Sequence, residues 1–221
     1  MNFKDLKRIV AAGENQHVEF KRKAAHPDKI MKEIVAFANT EGGGLLLLGV
    51  EDNKTIYGFA NPDEEEYTIE NAIQKYCYPI PDYRLYRVPI SDEVSVLALE
   101  IKEGTQKPYS VLYDFEQKLG KVYVRVADRS IQASREVREI LKIRAQGRSI
   151  RFLFGEKEKL LLEYLDKHPY ITLETFAALA GIKSKVASRT LVLLVINGIL
   201  QIHPYEEGQD QYTLKTVAGA E

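Results

Sequence analysis

The sequence predicts an α+β protein of two domains, a mixed α/β sandwich over residues 1–150 and a small helical domain over 153–216. Three observations carry this. The first 150 residues alternate helix-period stretches with short apolar runs. Near Gly155 the pattern changes to three helices and two short strands. Charge is also unevenly sorted. Residues 41–70 hold eight acids against Lys54, and residues 118–151 hold ten bases against Asp128, Glu136 and Glu139.

The elements follow in order. Residues 3–12 read as a short amphipathic helix through Leu6, Ile9 and Val10. Residues 18–22 read as a strand. Pro27-Asp28 opens a half-buried helix with Ile30, Ile34, Val35 and Ala38 on one face. Gly42-Gly43-Gly44 stops it. Residues 45–50 form a continuous apolar run, as in a strand buried on both faces. Residues 61–66 read as an acidic, solvated loop and 68–77 as a helix. Pro79 and Pro81 lead into strands near 83–90 and 94–101, with another at 121–126. Residues 135–148 read as a basic helix.

After Gly155 come helices at 156–167, 173–180 and 184–197. Pro169 breaks the first pair and Gly181 turns between the second. Strands at 199–203 and 211–214 follow, joined by a turn holding Glu206-Glu207-Gly208, and the tail after Thr216 is expected to fray. Three helices and a hairpin in about 65 residues outline a winged helix. The helix at 184–197 starts polar, with Lys185 and Arg189. It then turns apolar nearly all round, so Val192 and Ile196 are expected to pack on the first domain or on a second subunit.

Composition excludes several classes. One cysteine, Cys77, permits no disulfide and no cysteine-based zinc site within one chain. The four histidines show no ligand spacing. The start does not read as a signal peptide, and no apolar stretch reaches the roughly 18 residues of a membrane span. The expectation is a cytoplasmic protein without a membrane partner.

Several residue groups carry candidate chemistry. Glu14, Glu19, Lys21 and the pair Glu51-Asp52 lie on segments that can converge. Glu19 and Lys21 share a strand face. Carboxylates gathered beside one lysine need a metal, a phosphate held through it, or a local ion network. A surface Glu19–Lys21 pair would be worth roughly 0–1 kcal/mol. Gly42-Gly43-Gly44 either caps a helix or offers amides to a nucleic-acid backbone. Lys107-Pro108-Tyr109 and Tyr123 with Arg125 combine rings and cations. The basic stretch contributes Lys121, Arg129, Arg135, Arg138 and Lys142, with Arg144, Arg148 and Arg151 as a second set.

Five blocks then occur in order: Glu14…Val18-Glu19-Phe20-Lys21, Ala36-Phe37-Ala38-Asn39-Thr40-Glu41-Gly42-Gly43, Leu48-Gly49-Val50-Glu51-Asp52 with Gly58, Lys107-Pro108-Tyr109, and Val122-Tyr123-Val124-Arg125-Val126. Together they resemble the AlbA-type DNA-binding domain of Schlafen proteins and many bacterial regulators, over roughly residues 5–135. The resemblance implies nucleic-acid binding and a following winged helix. In some Schlafen proteins it also implies metal-dependent RNA cleavage by three carboxylates. The matching positions are Glu14, Glu19 and Asp52, with Glu51 as the alternative to Asp52. Members are often grouped as ATP-binding, but this chain lacks a Gly-x-x-x-x-Gly-Lys-Ser/Thr loop.

The sequence therefore favours a nucleic-acid-binding transcriptional regulator, DNA ahead of RNA, working as a homodimer without a required cofactor. Lys21, Lys121, Arg125, Arg129, Arg135, Arg138, Lys142, Lys185 and Arg189 would contact nucleic acid. The alternative is an endoribonuclease with Mg or Mn on Glu14, Glu19 and Asp52. A protein-only interaction module is the third class.

Overall fold

The computed structural model describes residues 1–24, 27–147, 152–205 and 208–215. The α+β expectation holds. The chain divides into two compact units, Met1–Gln132 and Ala133–Glu221.

In the first unit, α1 (Phe3–Ala12) starts on a reciprocal Asn2–Asp5 cap and buries Leu6 and Val10. β1 (Val18–Lys21), α2 (Pro27–Asn39), β2 (Gly44–Leu48) and α3 (Pro62–Tyr76) follow. Then come β3 (Cys77–Tyr78), β4 (Tyr83–Pro89), β5 (Ser95–Ile101), β6 (Ser110–Asp114), β7 (Leu119–Val126) and β8 (Arg129–Gln132). They form two four-stranded sheets, ordered β1-β2-β5-β4 and β3-β6-β7-β8. Only the β1–β2 pairing is parallel within these sheets.

α2 packs against both sheets, touching β2 and β5 of one and β6, β7 and β8 of the other. Ile30, Met31 and every residue from Ile34 to Ala38 are buried. The helix is thus enclosed rather than half-buried, because the second sheet covers the flank that periodicity assigned to solvent. β2 is buried on both faces, as its apolar run predicts. Leu46 and Leu48 join the core with α2 and α3, while Leu47 joins Leu6, Val10 and Phe20 beneath α1.

Two sequence expectations change here. The acidic residues 61–66 are not a loop. α3 begins at Pro62 and carries Asp63, Glu64 and Glu65 in its first turn, where proline fits and the helix dipole favours carboxylates. Arg87 pairs with Asp63 at 2.5 Å and with Glu66 at 2.6 Å, and Glu65 accepts the Ala24 amide at 2.9 Å. The glycine run serves the chain itself. A Cβ on Gly43 would lie 2.2 Å from the Ile101 carbonyl oxygen, and one on Gly44 would lie 2.0 Å from the Phe37 ring. The Gly42 and Gly43 amides already donate, to Glu103 and to the Thr40 carbonyl.

The second unit holds α4 (Arg135–Ala145), α5 (Glu156–Leu165), α6 (Leu173–Leu179) and α7 (Ser184–Ile196). An antiparallel hairpin of β9 (Leu200–His203) and β10 (Gln211–Leu214) completes it. Its core gathers Leu161, Phe176, Leu191, Leu194, Val195, Leu200 and Tyr212 with Ile140 and Ile143 of α4. Val192 is buried in this same cluster and Ile196 packs against it. The apolar side of α7 is therefore taken up inside its own unit, by α4, α6 and β9. It gives no argument for a second subunit. The basic helix α4 falls in the second compact unit, which begins at Ala133. Arg148, Arg151, the turn residues Glu206 and Glu207, and the tail from Thr216 lie outside the described residues. No helix among the described residues is long and apolar enough to cross a membrane.

Candidate nucleic-acid interface and carboxylate cluster

The carboxylates expected to converge do so only in part. Glu14 follows α1 in a turn, where its Oε1 accepts the Phe20 amide at 2.8 Å. Glu19 points inward from β1 and is buried. Its Oε2 lies 2.9 Å from Nη1 of Arg125, and its Oε1 receives the Lys21 ammonium. Asp52 stands exposed in the turn after β2. Glu51 pairs with Arg22 at 2.9 Å.

The partner that sequence reasoning missed is Glu33. α2 carries it into the interior, where its Oε2 lies 2.8 Å from Arg125 Nη1 and accepts the Ser130 hydroxyl. Lys32 lies 3.5 Å from its other oxygen. One signal was available: Glu33 is the one acid between Ile30 and Ala38, a stretch whose other residues are apolar except Lys32.

Arg125, expected on a nucleic-acid surface, has a side chain with 0% exposure. Tyr123 and Arg125 share a strand face, but alternation does not say which face is buried. The guanidinium also donates to the Asn15 carbonyl at 2.8 Å and lies 4.9 Å from the Phe37 ring centre. Its Nε has no hydrogen-bond partner among the described residues. Two buried carboxylates thus face Arg125 and Lys21, a balance that the low-dielectric interior requires. Burial, and then the neighbouring Glu33, push the Glu19 carboxyl above its ordinary value.

This arrangement does not fit a bound divalent metal. Both Glu19 oxygens are already occupied by cations, and among the described residues no group of three His, Cys, Asp or Glu side chains could hold a metal ion.

Lys107-Pro108-Tyr109 also turns inward. Tyr109 is buried, its amide and carbonyl both held by the Asn39 side chain at 2.8 Å. Lys107 pairs with Glu103 at 2.6 Å.

The remaining expected bases are exposed, except Lys21, which is half-buried on Glu19. In the first unit these are Lys121 on β7 and Arg129 on β8. In the second unit, Arg135, Arg138 and Lys142 recur along one side of α4, and Lys185 and Arg189 lie one turn apart on α7. Arg135, Lys185, Ser188 and Arg189 line one cleft of about 440 Å³, with Glu139 as its acid. The ion pairs joining described residues of this unit are Lys157–Glu158 and Lys159–Glu163, so among the described residues these five cations form no salt bridge. Ser188 donates to Glu136 at 2.5 Å, tying α7 to α4. Ser134 caps α4 and donates to Asp210 at 2.5 Å.

Two sheets around a buried helix, followed by a helical unit with a hairpin, define an α+β protein of AlbA type. The chain belongs to the Schlafen, AlbA_2 family, which matches residues 14–134. Among solved structures it is similar to the DIP2311 protein of Corynebacterium diphtheriae, at 20% identity and a TM-score of 0.43. That likeness covers 80% of this chain and 32% of that protein, so this chain spans about a third of its length. It is also similar to the N-terminal domain of a RecG-related protein from Nitrosomonas europaea, at 20% identity and a TM-score of 0.42, covering 69% of this chain and 94% of that domain. No curated protein matches the chain. Family membership supports a nucleic-acid-related function in broad terms.

Proposed function

We propose that the chain is a DNA-binding transcriptional regulator whose second unit works as a winged helix. α6 and α7 would form the helix-turn-helix, and the β9–β10 hairpin would form the wing. The observation that carries this is the cleft where Lys185 and Arg189 of α7 stand beside Arg135 of α4 with no salt bridge to an acid among the described residues. Gly181 supports the turn before α7 with φ 63°, a conformation glycine adopts without strain. The buried second half of α7 anchors the helix, and its exposed first half carries the cations.

A helix presented in this way suits the major groove of B-form DNA. The deep, narrow groove of duplex RNA would not admit it, which is why DNA stands ahead of RNA. Arg135, Arg138, Lys142, Lys185 and Arg189 would meet phosphates. If all five do, log K falls with log salt at a slope near about −4.5.

The test is duplex binding by the full chain across a salt series. Lys185→Ala with Arg189→Ala should weaken binding roughly tenfold or more and flatten the slope by about 2. A slope near zero in the parent chain, or unchanged affinity in the double variant, would defeat the reading.

A further inference from the structure

The face of the β1-β2-β5-β4 sheet that meets α1 carries a cavity of about 540 Å³, which neither the carboxylate cluster nor the cleft of the second unit uses. That volume lies within the range of small-molecule sites, roughly 300–1,000 Å³. Strand register builds its floor. Leu47 and Ala98 stand opposite each other and pack with Leu6 and Val10 of α1. Leu45 and Glu100, two residues further along their strands, form the next row on the same face. Tyr86 of β4, opposite Ala98, shares that face. α1 covers the inner row but leaves Leu45, Tyr86 and its own Ile9 half-buried around the cavity.

The charges bordering this cavity are unevenly answered. Asp5 accepts the Asn2 amide at 3.3 Å and lies 3.4 Å from Arg8. Glu103 holds Lys107 at 2.6 Å and the Gly42 amide at 3.0 Å. Lys102 is taken by Asp82 at 2.8 Å. The Glu100 carboxylate differs. Among the described residues it has no ion pair and no hydrogen bond, although Arg84 stands opposite it on β4 and Met1 also borders the cavity. Its charge is felt by Tyr86, whose phenol is raised above its ordinary value by burial and then by Glu100. His17 adds a second acceptor. Its Nδ1 lies 2.8 Å from the Gly43 carbonyl oxygen. A carbonyl oxygen only accepts, so Nδ1 is the donor and Nε2 of the neutral ring keeps its lone pair.

An apolar floor bordered by two acceptors, one of them an unanswered carboxylate, complements a ligand with N–H donors and positive charge on a flat apolar body. We infer that this cavity binds a small aromatic amidinium or ammonium, its N–H groups on Glu100 and His17 and its ring against Ile9, Leu45 and Tyr86. The site lies within the first unit and does not rest on the regulator reading.

The test titrates the isotope-labelled full chain with benzamidine, its neutral isostere benzamide and the anion benzoate, read by amide chemical shifts. Benzamidine should shift the amides of Gly42, Gly44, Leu45 and Lys102 and bind at least roughly fivefold tighter than benzamide, with benzoate the weakest. Glu100→Gln keeps the shape of an exposed side chain, so the variant should give a folded spectrum and lose that preference. Equal affinity for the three probes would overturn the inference, as would a preference for benzamidine that survives Glu100→Gln. So would shifts confined to the acidic start of α3, or none at the cavity amides up to roughly 10 mM benzamidine.

Discussion

Arg125→Met tests the interior of the first unit most directly. The parent guanidinium is fully enclosed, with Glu19 at 2.9 Å and Glu33 at 2.8 Å. Methionine preserves much of the aliphatic stem and removes the charge. Two buried carboxylates then keep the contacts of Lys21, Lys32 and the Ser130 hydroxyl, and the Asn15 carbonyl loses its guanidinium donor. Removing one partner of a buried pair costs about 3–5 kcal/mol. For a unit of this size that corresponds to a melting point lower by roughly 10–20 °C. Urea unfolding at neutral pH, followed by circular dichroism, measures the loss directly. The pH dependence gives an independent sign. Glu19 already has a folded-state pKa above the ordinary 4.5, and loss of Arg125 raises it further. A raised carboxyl contributes stability that is fully present below the ordinary value and lost as pH rises through the folded value. The variant's deficit should therefore narrow as pH falls from neutrality toward that value. Adding Glu19→Gln and Glu33→Gln should recover much of the loss, because an uncharged trio has no ion left unpaired. A deficit below about 1 kcal/mol, the range of surface pairs, would refute the reasoning. So would a deficit that widens on acidification.

Other outcomes follow from single positions. Gly43→Ala should destabilise by more than about 1 kcal/mol in chemical unfolding, since φ is 68° and the new Cβ would strike the Ile101 carbonyl. Burial pushes the Cys77 thiol up to about 12. Ellman's reagent at mildly alkaline pH should leave the folded chain unlabelled and react once the chain is unfolded. Val192→Asp should cost roughly 3 kcal/mol by placing an unpaired carboxylate in the α4–α7 core. Light scattering on the fraction that stays folded should show the oligomeric state of the parent chain.

Much of this fold was legible because local pattern and burial agree. The all-leucine run of β2 is buried on both faces, and the spacing of Leu6 and Val10 marks the covered side of α1. The sequence failed where a distant element decides. Nothing between Pro27 and Asn39 reports that a second sheet closes over α2. β8 reads Arg-Ser-Ile-Gln, too short and polar to announce a strand, yet its Ser130 completes the carboxylate cluster. At α3, acids that looked like a solvated loop were the favoured charges of a helix start. Within the candidate site, Glu19 and Lys21 were found together, as strand parity implied. Glu33 and the inward turn of Arg125 were not, because each depends on contacts about ninety or more residues apart in sequence.

The same motif residues thus belong to two different physical roles, and mutation separates them. A charge inside the Glu19–Glu33–Arg125 cluster acts on folding first, since its partners are buried with it and solvent cannot replace them. A charge on the outer side of α4 or α7 touches water and carries little of the fold, so its removal should act on affinity while stability moves by no more than about 0.5 kcal/mol. Loss of nucleic-acid binding on Glu19→Gln together with a lowered unfolding midpoint would therefore report the fold and not a catalytic acid. Equal melting with lost binding would instead mean that the cluster opens to ligand, which its present occupancy by Arg125 and Lys21 argues against.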